Sequence, residues 1–127
     1  MQRTERPWGW YDNLVADQGY LVKRLWIAPD QRLSLQRHRH RQEHWVVTAG
    51  AGVVHIDGID HPAAAGSSFH VPCEAVHRAT ASDQGLLSWR FSGAAFSART
   101  TLNASLMITD GFNPLQDDRF RSLKFSL

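Results

Sequence analysis

Apolar residues in this chain come in short runs punctuated by turn residues, and no stretch carries a convincing amphipathic helix. The alternation predicts strands at Tyr20 to Ala28, Arg32 to Arg37, His44 to Ala49, Gly52 to Ile56, Ser67 to Val71, Arg78 to Ala81 and Leu86 to Phe91. A further strand is expected at Leu102 to Ile108. Turns are expected between them at Pro29-Asp30, Ala49 to Gly52, Asp57-Gly58 and Ser82 to Gly85. Short strands in such a series point to an all-β sandwich or barrel. No repeat or linker divides residues 1–127, which are expected to form one domain. Beyond about Gly93 the pattern weakens, and Asp110 to Arg121 is polar enough for a loop or short helix.

Composition supports a folded chain: 43% of residues are hydrophobic and five are tryptophan. Those tryptophans, Trp8, Trp10, Trp26, Trp45 and Trp89, are read as core and edge packing. No apolar run approaches the roughly 20 residues that cross a bilayer, and Met1 to Pro7 has no signal-peptide core. No membrane partner and a cytoplasmic location are expected. Cys73 is the sole cysteine, which excludes an intrachain disulfide. Twelve of the fourteen basic residues are arginine. Arginine grips phosphate and carboxylate through a planar fork, and Arg32, Arg37, Arg39 and Arg41 crowd one segment. A small anionic molecule suits them; no helix-turn-helix, zinc-finger or aromatic RNA-binding signature speaks for nucleic acid.

The heart of that segment, Gln36-Arg37-His38-Arg39-His40-Arg41-Gln42-Glu43-His44, also holds three histidines, a glutamate and two glutamines within nine residues. A second stretch, Gly66 to Pro72, leads to His77. Imidazole and carboxylate bind borderline divalent cations. On a straight strand His38, His40 and His44 would align and Glu43 would face away. A turn at Arg39 to Gln42 would instead return Glu43 to His38. Periodicity alone leaves both sets open.

The spacing resembles the two motifs of the cupin superfamily, small β-barrels with a metal in the mouth. Glu43 and Gly50 match the end of the first motif and His38 its second histidine, while Gln36 replaces its first histidine and Asp30 stands where its leading glycine belongs. In the second motif Gly66, Pro72 and His77 match, while Glu74 and Ala81 replace a glycine and an asparagine. The runs Arg6 to Tyr11, Tyr20 to Leu25 and Leu33 to Val47 further resemble type II mannose-6-phosphate isomerase, the C-terminal cupin of enzymes that also carry mannose-1-phosphate guanylyltransferase activity. The resemblance covers about residues 5 to 92 and implies a cupin core at about 20–92, with an extension over 93–127. It implies Gln36, His38, Glu43 and His77 as ligands of one divalent metal ion, zinc first, with manganese, iron, cobalt or nickel as alternatives. The nucleotidyltransferase half and the family's closing segment have no counterpart here, so the expectation stops at the isomerase.

The implied activity interconverts mannose 6-phosphate and fructose 6-phosphate by moving a proton between adjacent carbons. A metal would polarise the carbonyl. His40 or His44 would serve as base, since imidazole titrates near neutrality, with Lys23 as a further catalytic candidate. Arg41 and Arg78 would hold the phosphate. His55, His61 and His70 are read as ordinary surface groups, and one of Lys23 and Arg24 must face solvent. Alternatives on the same barrel are a non-catalytic sugar-phosphate binder and a metal enzyme such as a dioxygenase. An unprotected sheet edge favours a homodimer.

Overall fold

In a computed structural model describing residues 2–94, every regular element is a strand. They are β1 (Arg3–Arg6), β2 (Gly9–Asp17), β3 (Tyr20–Ile27), β4 (Arg41–Ile56), β5 (Ile59–Ala64), β6 (Ser68–Val71) and β7 (His77–Ala94). All pair antiparallel, in the order β1-β2-β3-β7-β4-β5, with β6 also beside β4.

Two long strands organise the molecule. β4 and β7, of 16 and 18 residues, pair along nearly their whole length. Their register shifts twice, by one residue at Thr48 and then sharply: Gly50 faces Leu86, but Gly52 faces Ala81, so Ser82 to Gly85 bulge out opposite Ala51. A bulge bends and twists a strand pair. Before the break β4 has β6 as its other neighbour, and after it β5. The pair therefore belongs to two halves, joined by one apolar cluster. Leu25, Ile27, Trp45, Val47 and Leu86 line one side of it, and Val54, Ala63, Ala79 and Ala81 the other. Gly50 sits at the crossing with φ +81°, where a Cβ would strike the Gly85 carbonyl. Only glycine meets both demands.

Several sequence expectations change. The turn signals at Ala49 to Gly52 and Ser82 to Gly85 make bulges inside continuous strands, because the flanking residues keep pairing with each other. Asp57-Gly58 does turn, with φ 47° and 82°, joining Ile56 to Ile59 as a tight hairpin. Arg32 to Arg37 is not a strand. It touches β7 through two single bridges, Arg32 to Thr80 and Gln36 to His77, whose registers differ by one residue, so no ladder can run between them. The hairpin β1–β2 and strand β5 were not expected. Polar residues such as Asp12 and Asn13 hide the first, and Pro62 the second, which is tolerated because β5 lies at a sheet edge. The strand expected at Leu102 to Ile108 lies outside the described residues.

Candidate metal centre

Strand alternation decides what enters the space between the two halves. In β4, Arg41, Glu43, Trp45 and Val47 are buried, while His44, Val46 and Thr48 are exposed. In β7, His77, Ala79 and Ala81 point inward, and beyond the bulge Leu86, Ser88, Arg90 and Ser92 do. β3 contributes Lys23 and Leu25. Arg24 takes the opposite face, where it and Arg3 bind Asp12.

His38 reaches this space from the loop before β4. The chain bends at Arg39-His40, so the straight-strand alternative fails and Glu43 comes back to His38. His38, Glu43 and His77 are all buried, and each offers a ligand atom within 4.8 Å of the others'. The loop is fixed from below: Glu74 N–H donates to the His38 carbonyl at 2.7 Å. Glu74 and Asp30 stand where the motifs carry glycine, and both keep a positive φ, 69° and 63°.

Hydrogen bonds orient the cluster. His77 Nδ1–H donates to the Ala75 carbonyl at 2.8 Å, which turns Nε2 toward Glu43. That nitrogen lies 3.3 Å from Glu43 Oε2, close enough to attract a shared cation but not aligned for a hydrogen bond, and both atoms are buried without a partner. Ser92 donates to the other carboxylate oxygen at 3.2 Å. Burial by itself raises the Glu43 carboxyl, but His77, Arg41 and Arg90 outweigh it and hold the group well below the usual carboxylate range. Burial and the neighbouring Arg41 push His38 down to about 3, so its ring is neutral. Its Nε2 accepts from Arg41 at 2.6 Å. An ionised carboxylate and two buried imidazoles, with Glu43 Oε2 and His77 Nε2 facing each other, are a donor set that fits a divalent cation. Gln36 exchanges both backbone hydrogen bonds with His77, at 2.8 Å each, so its half-buried side chain projects on the His77 side of the pair.

Around this cluster the chamber is cationic. Arg41, Arg90 and Lys23 are each about 2% exposed, against one buried carboxylate, Glu43. Arg90 lies over the Trp45 ring at 3.6 Å, and the Lys23 ammonium is 4.6 Å from the Tyr11 ring. Burial, then repulsion from Arg41 and Arg90, drives Lys23 down to about 7. Burial also lowers both arginines, to about 10, so they stay charged at neutral pH.

Not every candidate is gathered here. His44 points out of β4 and stacks on His70, with ring centroids 4.6 Å apart. His40 is exposed at the bend. Arg78 faces outward from β7, opposite in sense to His77. Each is displaced for one reason: it is one residue out of phase with the inward set. Arg90 and Ser92 were missed, although the period-two pattern from Leu86 already places them with the inward residues.

The matches to known proteins agree with this picture. The sequence model of the family described as mannose-6-phosphate isomerase C-terminal matches residues 1–88. The chain is 46% identical over 72 residues to a mannose-1-phosphate guanylyltransferase of Escherichia coli K12, and 40% identical over 73 residues to the alginate biosynthesis protein AlgA of Pseudomonas aeruginosa. These stretches cover 57% and 58% of this chain but 15% of each relative, so the chain matches only a small part of their length. Among solved structures, KdgF from a Halomonas species aligns with a TM-score of 0.70 at 14% identity, covering 78% of this chain and 91% of that one. An RmlC-like cupin from Shewanella frigidimarina gives 0.67 at 22% identity, covering 77% and 87%. By sequence and by fold, this chain belongs to the mannose-6-phosphate isomerase C-terminal family of cupins.

Proposed function

We propose that the chamber is the site of a metal-dependent isomerase acting on a sugar phosphate, interconverting mannose 6-phosphate and fructose 6-phosphate. One observation carries the reading: a buried His-Glu-His cluster beside three buried cations of which one, Lys23, has its pKa near neutrality. His38, Glu43 and His77, with Gln36 beside them, would hold the ion, and zinc is the first metal to test. When bound, it would supply Lewis acidity toward a carbonyl and the oxyanion that develops from it.

The residues of the chain account for the remaining needs. Three buried cations around the one carboxylate of Glu43 leave a net positive charge at the cluster, which favours a dianionic ligand. Arg41 and Arg90 would bind the phosphate through their forks. Lys23, neutral for part of the time at pH 7, is the chamber's candidate for carrying the proton between C1 and C2. The low-dielectric walls of Tyr11, Trp45 and Leu25 exclude water that would compete for that proton.

A coupled assay with zinc, manganese or iron tests the reading. Metal-dependent turnover of mannose 6-phosphate, lost in His77→Ala, is expected. Tight sugar-phosphate binding without turnover would make the chain a binding protein, and metal-dependent oxygen consumption would make it an oxygenase.

A further inference from the structure

On the outside of the barrel, three charged or polar residues form a row across neighbouring strands. Asp60 of β5 is the direct partner of His55 of β4, and His55 is the direct partner of Arg78 of β7. All three face away from the metal cluster, since their neighbours Val54, His77 and Ala79 point inward. With Leu35, Val53 and Thr80 they line a groove of about 430 Å³.

Two features mark this groove as more than a solvated face. Asp60 Oδ1 accepts from His55 Nδ1 at 2.6 Å, which fixes the ring tautomer and leaves Nε2 as an acceptor. Arg78 makes no side-chain hydrogen bond or ion pair among the described residues, and its Nε is fully buried without a partner. The arginine is thus held in the groove wall, not paired by the protein. Leu35 and Val53, 50% and 39% exposed, give the groove an apolar floor.

We propose that this groove is a second binding site, for a small molecule carrying an oxyanion and a nearby hydroxyl. The guanidinium of Arg78 takes the oxyanion in its fork. The hydroxyl donates to His55 Nε2, one strand away, a spacing of about 5 Å. A phosphate monoester of a polyol and a 2-hydroxy acid both have that shape. The site shares no residue with the metal cluster, so its occupancy is independent of the isomerase reading.

Nuclear magnetic resonance titration of the full chain with glycerol 3-phosphate, lactate and methyl phosphate tests the proposal. Glycerol 3-phosphate or lactate is expected to shift the signals of Leu35, Val53, His55 and Thr80, and whichever binds tighter identifies the anion. Methyl phosphate, which lacks the hydroxyl, is expected to bind several-fold more weakly than glycerol 3-phosphate. Arg78→Met should weaken the groove response by about tenfold or more, the scale of a lost charge-assisted pair. His55→Gln should bring glycerol 3-phosphate down to the level of methyl phosphate. Unchanged metal loading verifies that both variants are folded. Shifts confined to Lys23, Arg41 and Arg90, or a groove response indifferent to Arg78→Met, would overturn the proposal.

Discussion

Gln36 and His77 are locked together by two backbone hydrogen bonds of 2.8 Å, in a bridge that no continuous strand supports. The bridge ties the loop carrying His38 to the strand carrying His77. It also puts the Gln36 side chain on the His77 face of the pairing, where its Nε2 donates to Ser34 Oγ at 3.5 Å. Backbone pairing, not side-chain attraction, thus brings the two distant motifs to one point.

The chain should therefore bind one equivalent of a divalent ion, measured by elemental analysis after dialysis. Glu43→Gln and His77→Ala should abolish binding. Gln36→Leu should weaken it by about 10- to 100-fold, the range seen when a supporting or weaker ligand is lost. Full metal content in His77→Ala would exclude this cluster as the site.

Lys23 makes stability depend on pH in a defined direction. Its folded pKa, about 7, lies below the ordinary lysine value of 10.5. Below pH 7 both states are protonated and the penalty of the buried charge is complete. Between pH 7 and 10.5 the unfolded chain holds more protons, so stability rises with pH by an amount on the order of 5 kcal/mol. Lys23→Met should flatten that rise in urea titrations and eliminate turnover. An unaltered pH profile would show that the amine is solvated.

Arg41 and Arg90 are expected to act on substrate affinity. Arg41→Ala and Arg90→Met should each raise KM for the phosphosugar by about tenfold or more, as lost charge-assisted bonds do. Arg41 also donates to His38, so its removal should alter metal affinity as well. Kinetics unchanged in either variant would remove that residue from the phosphate site.

Gly50→Ala should destabilise the fold by more than about 2 kcal/mol, because a side chain is forced onto a positive φ and into the opposing strand. Chemical denaturation provides the measurement. A neutral effect would mean that the β4–β7 crossing can open without loss.

What was legible in the sequence follows from what is local. Alternation placed β3 and β6 almost to the residue, and the resemblance to the cupin motifs implied Gln36, His38, Glu43 and His77, of which the structure gathers the last three. Asp57-Gly58 marked its hairpin because two positive φ values in a row restrict the residues that fit. Only the tertiary structure decided which histidines share the buried cluster with Glu43. His44 and His38 are equally good ligands by type, yet one bend at Arg39-His40 puts them on different sides of the sheet. The same holds for Lys23 against Arg24, and for Arg78 against Arg90. Side-chain direction in a strand changes with every residue, so a single bulge or bend reassigns everything beyond it. Where those breaks fall depends on pairing between segments far apart in the chain.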